Sequence, residues 1–489
     1  MALNRQGAGA VLPLAIAGGL ISLGICTLGT SRLDVYAMEG IIAWGGEHMF
    51  RSKELFVPRL YGEMYAYKPA LAYWLAGASM RLLGHSESAL RLPTALCGVA
   101  LCLTVFALVA RLVTPRCGLY ASLSLSLCVL FFEQARIAGY DIPLALGVGV
   151  AMAASARNLV LGASSLRWWM LAYTALVFGF LAKGLPAFGT FGVALIAAAV
   201  ALRQFRQLLT WQHLAGVAWG GAILAAYLYL SYREVGVAAF ADHWAEVSYR
   251  STEWDAHRIL QSLVKPFVIL AAFLPSSALL PWALSSDTPP TVHRLARLFW
   301  WMLAADIGLW MCIPTASTRY YLPLITPVAV LAALGLEKLS PNAFGRDAGD
   351  HVGTSSWITR LRENFKPGIV LAMVGLLVWL VFAAVLQPLK AAAKSERRIA
   401  AAFASHLEPG EKIYIDTFDT ASSLFWYLNH PVQKWRLTDP PIADRFALVL
   451  VDQQRVALDA RADLRVQFVE SGRTPNGPVW LLARVSRVR

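Results

Sequence analysis

The chain has 489 residues, 57% of them hydrophobic and only 15% charged, with a mean hydropathy of +0.53. That is more apolar surface than a soluble core encloses, so the sequence reads as an integral membrane protein. The formal charge of +13 does not suggest a nucleic-acid partner, because the cations sit in connections between apolar runs instead of forming one patch.

Eleven apolar runs approach the roughly 20 residues needed to cross about 30 Å of hydrocarbon. They lie near 10–30, 88–112, 116–134, 142–161, 167–182, 184–202, 211–231, 266–284, 297–315, 320–338 and 367–387. The first follows a single Arg and lacks a small-residue cleavage site, which favours a retained span over a removed signal peptide. Arg5, Arg111, Arg116, Arg157, Arg167, Arg203, Arg206, Arg294, Arg297, Lys338, Arg346, Arg360, Arg362 and Lys366 fall in alternate connections, as expected of a cytoplasmic face. Loops 31–87, 136–141, 232–265 and 315–319 and the tail from about Lys390 are then expected outside, which for a bacterial inner membrane is the periplasm. All six cysteines lie in or beside apolar runs, so neither a disulfide framework nor a CxxC metal motif is expected.

The opening loop carries Asp34, Glu39, Arg59, Lys68 and Tyr73 immediately after the first span. Val35–Trp44 and Pro69–Leu83 have apolar residues at mixed helical spacing, which predicts helices lying along the interface. The loop 232–265, with His243, Trp244, His257 and Arg258, predicts a partly helical cap, and 339–366 reads as a flexible linker. In the tail, Glu411–Asp416, Phe446–Asp452, Leu464–Glu470 and Val479–Val485 have strand character, and Thr420–Leu428 reads as a helix. The expected organisation is a multi-span α-helical membrane domain over 1–389 and a small α/β domain over 390–489.

Topology gathers ionisable groups at the outer ends of spans: Asp34 and Glu39, Arg136 and Asp141, Lys183, and Arg319 with Tyr320. Such residues beside a membrane are functional candidates, because their desolvation must be offset by partners or a wet cavity. The set suits displacement at a sugar carbon with a lipid phosphate leaving. Asp34 would take the acceptor's proton, while Lys68, Lys183 and Arg319 would neutralise the departing phosphate. Bland alternatives stand beside these roles. Asp34 suits a helix N-cap, Glu39 an ordinary loop charge in place of a cation's partner, Lys68 and Lys183 snorkelling, and Arg136 with Asp141 a structural ion pair. His243, His257 and Arg258 could orient phosphate or acceptor, or bind a divalent metal, although two histidines fourteen positions apart are poor metal evidence and a satisfied loop histidine is more common.

The strings VPRLYG, YxxKPxLxYWL, ALRLPTAL (Ala89–Leu96), ARIAGYD, LAKG and RYYLP together resemble the bacterial aminoarabinose transferase and protein mannosyltransferase-like group of GT-C glycosyltransferases. The likeness runs from about residue 10 to 340, and LFWYL after a strand resembles the outer α/β domain of many members. It implies a GT-C fold with interfacial helices in the first outer loop, a polyprenyl-phosphate-sugar donor such as undecaprenyl phosphate, and inversion at the anomeric carbon. The acceptor it implies is lipid A, another glycolipid or an exported protein. It also implies that Asp34, the Asp of the first outer loop, is the catalytic base. Beside it Glu39 is expected at the catalytic site, and from their placement Arg59, Lys68, Arg136, Asp141, Lys183, His257, Arg258, Arg319 and Tyr320 are the expected substrate contacts. Family members commonly have Glu before the Lys-Pro, where this chain has Tyr67. The alternative function class is a flippase of lipid-linked sugar, which would typically show paired halves with broken helices near the midplane.

Overall fold

Apolar periodicity and glycine spacing govern the first of two compact units, Met1–Leu28 with Thr94–Val381; the second comprises Gly29–Pro93 and Phe382–Arg489. The computed structural model describes residues 5–36, 38–65, 68–236, 256–283, 288–313, 317–340, 357–416, 422–475 and 478–488. Among these, six helices are long and apolar enough to cross a membrane, or up to eight if each of two bent pairs is one span. The chain is a multi-pass membrane protein with fewer straight spans than its hydropathy predicts. The run at 116–134 is broken between Pro115–Ser126 and Val129–Ala135 by a 69° bend, and that at 266–284 is broken by a 99° bend before Ser276. At 184–202 the helix Pro186–Ala201 is shorter than a full span. Helices Leu166–Lys183 and Pro290–Met311 occupy two further expected positions but carry Arg167 and Lys183, or Arg294, Arg297 and Asp306.

Small residues let these helices approach closely. A Cβ on Gly147 would lie 2.5 Å from the Gly179 nitrogen, so helices Asp141–Leu161 and Leu166–Lys183 meet backbone to backbone. Gly216 and Gly220 likewise admit Trp169 and Tyr173. Helix Ile325–Lys338 is almost wholly buried, and its Glu337 accepts from Arg116 Nη2 at 2.6 Å and Nε at 3.1 Å. Arg116, expected only as a cytoplasmic marker, thus forms a part-buried ion pair with a carboxylate that is itself fully buried.

The second unit begins with two short helices, Met38–Ser52 and Leu71–Leu83. At 1.5 Å per residue neither can span the hydrocarbon, in keeping with interfacial helices. They touch where Gly46 faces Gly77, a Cβ on Gly46 coming within 2.9 Å of the Gly77 nitrogen. Between them, strands β1 (Arg59–Leu60) and β2 (Glu63–Met64) form a hairpin. Its two-residue turn has φ +54° at Tyr61 and +90° at Gly62, the left-handed pair that matches strand twist.

The tail folds as expected of an α/β domain, with β3 (Ile413–Ile415), β5 (Arg445–Val451), β6 (Leu464–Arg473), β7 (Val479–Arg487) and the helix Ser422–Leu428. A further edge strand, β4 (Val432–Lys434), completes a mixed sheet of order β4-β3-β5-β7-β6. β3 is parallel to both neighbours, whereas β5, β7 and β6 run antiparallel. Apart from Arg445 every β5 residue is buried, which explains its continuous apolar run in place of alternation. Phe446, Leu448 and Leu450 share a core with Tyr414 and Trp435. The hairpin joins this sheet: Lys434 N–H donates to the Tyr61 carbonyl at 2.8 Å, and Lys434 Nζ meets Glu63 at 2.7 Å.

Candidate active site

The acidic segment Leu33–Glu39 is built around a residue that sequence reasoning placed only inside a motif. Arg91, fifth in the helix Glu87–Leu112, is 1% exposed, as is Glu39. Its Nε and Nη2 donate to the two Glu39 oxygens at 2.7 Å each. The same guanidinium donates to the carbonyls of Thr30 (2.6 Å), Leu33 (2.7 Å) and Asp34 (3.0 Å). One cation thereby satisfies the carbonyls of a 3₁₀ turn, Thr30–Arg32, and of the residues after it. Glu39 is the buried counter-ion of this clamp, the cation's partner that the sequence allowed for it.

Asp34 lies four residues before the helix Met38–Ser52. Its carboxylate accepts from Arg397 Nη1 at 3.1 Å, and Glu87 lies 3.6 Å from the same nitrogen. The hydrogen bond to Asp34 holds the Arg397 guanidinium above its ordinary range, although burial opposes it. Val35 N–H donates to the Tyr427 hydroxyl at 2.7 Å, and burial pushes that hydroxyl up, keeping it a neutral phenol. Arg397 also lies over the Tyr427 ring, 5.4 Å from its centroid. Two tail residues therefore hold the Asp34 segment from a distance of more than 360 positions. The sequence offered no signal for Arg397 beyond its charge, and marked Tyr427 only as part of the LFWYL string.

Arg59 pairs with Glu54 at 2.6 Å and is part of the hairpin. Lys68 is half-buried, two positions ahead of Ala70, the N-cap of the helix Leu71–Leu83. Tyr67 lies outside the described residues.

In the membrane-spanning unit a second group forms. Lys183, at the end of its helix, contacts the Asp141 carboxylate, and both side chains are 5% exposed. The Lys183 ammonium sits 3.7 Å from the Tyr320 ring centroid, and the Arg319 guanidinium 5.8 Å from the same ring. Four residues from three separate motifs are thus brought together. Arg319 Nε is buried with no hydrogen-bond partner among the described residues. Trp310 stacks on Tyr320 at 6.2 Å. Its carbonyl accepts from Lys265 Nζ at 3.1 Å, and Lys265 also contacts the Ile313 carbonyl, closing the end of the helix Pro290–Met311. Lys265 was not singled out from the sequence. The cluster sets two cations, Lys183 and Arg319, against one carboxylate, beside an aromatic wall.

Arg136 stands apart from it. Asp141 pairs with Lys183, and Arg136 donates to the carbonyls of Ile25 (3.1 Å) and Leu28 (2.6 Å) while lying 5.4 Å over Trp379. At 1% exposure it closes the end of the first helix, which corrects the expected ion pair with Asp141. His257 and Arg258 belong to the helix Ala256–Ala272, but their side chains, like most of the expected cap, lie outside the described residues. Among the described residues no three His, Cys, Asp or Glu side chains group to hold a metal ion.

Residues 67–231 match the family described as dolichyl-phosphate-mannose-protein mannosyltransferase. The chain is similar to undecaprenyl phosphate-alpha-4-amino-4-deoxy-L-arabinose arabinosyl transferases. With that of Pectobacterium atrosepticum it shares 26% identity over 69% of this chain and 64% of the relative. With that of Serratia proteamaculans it shares 28% over 58% of this chain and 52% of the relative. The chain thus spans less than two thirds of these relatives' length. Its fold matches crystal structures of ArnT from Cupriavidus metallidurans. Against the form bound to undecaprenyl phosphate the TM-score is 0.73 at 17% identity, covering 96% of this chain and 97% of that one. Against the apo form it is 0.72 at 18%, covering 97% and 98%.

Proposed function

We propose that this chain, which has a GT-C membrane fold and resembles the aminoarabinose transferases, moves a sugar from a polyprenyl-phosphate donor to an envelope acceptor. The observation that carries the reading is the cluster of Lys183, Asp141, Arg319 and Tyr320. A buried guanidinium nitrogen with no partner among the described residues, close to a further cation and one carboxylate, is costly unless an anion completes it. A lipid phosphate is an anion of that kind. Arg319 offers an open donor, whereas Lys183 is held by Asp141 and would be shared between carboxylate and phosphate. Lys265 adds positive charge behind the Trp310–Tyr320 wall.

Asp34 is assigned as the base that takes the acceptor's proton, with Arg397 and Tyr427 fixing its segment and Glu39 acting through Arg91. Undecaprenyl phosphate as carrier, lipid A, another glycolipid or an exported protein as acceptor, and a periplasmic reaction face follow from the resemblance and from the charge bias of the connections. The division into a membrane domain over 1–389 and a periplasmic domain over 390–489 is part of the same proposal.

The test is donor turnover by the purified chain in detergent, read as released polyprenyl phosphate. A general base contributes about 10²–10⁴-fold, so Asp34→Asn should slow release by at least about 100-fold at unchanged protein level. Near-normal release by that variant would remove the assignment, and vesicular transport without release would favour a flippase.

A further inference from the structure

In the membrane-spanning unit a groove of about 190 Å³ opens between the helices Glu87–Leu112, Asp141–Leu161 and Leu166–Lys183, within residues 104–171. Its walls along one stretch are Leu108, Val150, Ala153 and Leu171. Its lining also includes Arg111, from the last turn of the first helix, Arg157, one turn before the end of the second, and Trp168, from the first turn of the third. These chain positions place the polar groups together at one end of three packed helices. Thr104 lines the groove seven residues before Arg111, about 10 Å along the helix.

Among the described residues the polar end of the groove is lined by cations with no acidic side chain beside them. The Arg157 guanidinium lies 5.0 Å over the Trp168 ring, and that of Arg167 lies 5.7 Å from it. Arg167 and Arg111 both act repulsively on Arg157. Trp168 Nε1 is buried with no hydrogen-bond partner among the described residues. Two guanidiniums and an unsatisfied indole N–H therefore surround one mouth, and the walls beyond it are hydrocarbon.

We infer that this groove binds one anionic glycerophospholipid. The phosphate would sit between Arg111 and Arg157, where guanidinium forks match its oxygens, and the indole N–H would donate to a phosphate or ester oxygen. One acyl chain would run along the apolar wall. The volume supports a chain segment over a complete small ligand, which needs about 300 Å³ or more. Charge selects the headgroup, because basic pockets between membrane helices favour anionic lipids and a zwitterionic lipid brings its own cation. None of these residues belongs to the proposed phosphate cluster of Lys183 and Arg319, so the inference stands independently of the transferase reading.

Native mass spectrometry of the full chain, titrated with phosphatidylglycerol or phosphatidylcholine of the same acyl chains, tests it. The wild type should take up one phosphatidylglycerol with about tenfold preference, the scale of one charge-assisted contact. Arg111→Gln with Arg157→Gln should abolish that preference and leave phosphatidylcholine binding as it was. Ala154→Leu fills the groove and keeps both cations, so it should weaken phosphatidylglycerol uptake even if the double variant folds poorly. Equal uptake of the two lipids by the wild type would overturn the inference, as would unchanged preference in both variants. Displacement of phosphatidylglycerol by equimolar polyprenyl phosphate would overturn it too, in favour of a second donor-lipid site.

Discussion

Replacing Glu39 by Gln tests the clamp behind Asp34 with little change of shape. The variant keeps the side chain's volume and Arg91's three bonds to the Thr30, Leu33 and Asp34 carbonyls, but removes the counter-ion of a guanidinium that is 1% exposed. Breaking a buried pair from one side costs about 3–5 kcal/mol, a large part of the roughly 5–15 kcal/mol that holds a domain together. At about 2–4 °C per kcal/mol for a unit of this size, the expected fall in Tm is roughly 6–20 °C, measured by size-exclusion chromatography of heated detergent samples. The double variant Glu39→Gln, Arg91→Met leaves no orphan charge, so stability should partly recover. Donor turnover should stay low, because the carbonyls that position Asp34 have lost their donor. A fall of less than about 2 °C in the single variant would refute the clamp as a stability element. Recovery of turnover in the double variant would refute its role in positioning Asp34.

Arg319→Ala should raise the donor KM and cut turnover by about 100-fold, the scale of losing one preorganised donor to developing charge, with Arg319→Lys restoring part of it. Arg397→Ala should be mild: its side chain is 59% exposed and that of Asp34 29%, and such pairs contribute about 0–1 kcal/mol, so turnover should fall by no more than about fivefold. A loss equal to that of Asp34→Asn would make Arg397 part of the chemistry. Glu396 gives a pH signature in the tail. Burial pushes its carboxyl up, against hydrogen bonds from Ser423, Leu424 N–H and Trp480. A raised folded value means that the folded state holds this proton after the unfolded state has lost it. The contribution is therefore full below the ordinary Glu range and is lost as pH rises through the raised value. Hydrogen exchange in β5 and β7, corrected for intrinsic rates, should report weaker protection on crossing that window, and Glu396→Gln should flatten the dependence.

The features legible in the sequence were those carried by periodicity and by charge at span ends. Hydropathy located the helices, strand patterning located β3, β5, β6 and β7, and topology drew Asp141, Lys183, Arg319 and Tyr320 into one group. What stayed hidden was the choice of partner. Arg136 and Asp141 are five positions apart, yet Asp141 meets Lys183 and Arg136 takes the carbonyls of Ile25 and Leu28. The reason is local, since a helix ending at Thr27 leaves carbonyls without donors that a nearby guanidinium satisfies. Arg91 was masked in the same way, looking like the charged start of a span while closing the 3₁₀ turn before Asp34. The bends after Ser126 and before Ser276 were hidden because a hydropathy window averages across a break. β4 escaped notice because three residues are too few to show alternation.

The tail is part of the proposed chemistry's support, and this follows from where its contacts land. Arg397 and Tyr427 reach the carboxylate and the amide of adjacent residues, Asp34 and Val35. Lys434 extends the sheet's edge to the hairpin through the Tyr61 carbonyl and Glu63. These contacts fix both ends of one loop, its first acidic residue and the hairpin before Lys68. A loop of more than fifty residues has high conformational entropy unless something distant holds it. Arg91 alone orders only its first ten residues, from Thr30 to Glu39. Ordering the hairpin as well requires the edge strand β4, and so the sheet behind it. The α/β tail and the acidic loop therefore fold as one unit, and a chain ending near residue 389 would keep its membrane helices and the Arg91 clamp on the Asp34 carbonyl while losing the contacts that hold the hairpin before Lys68.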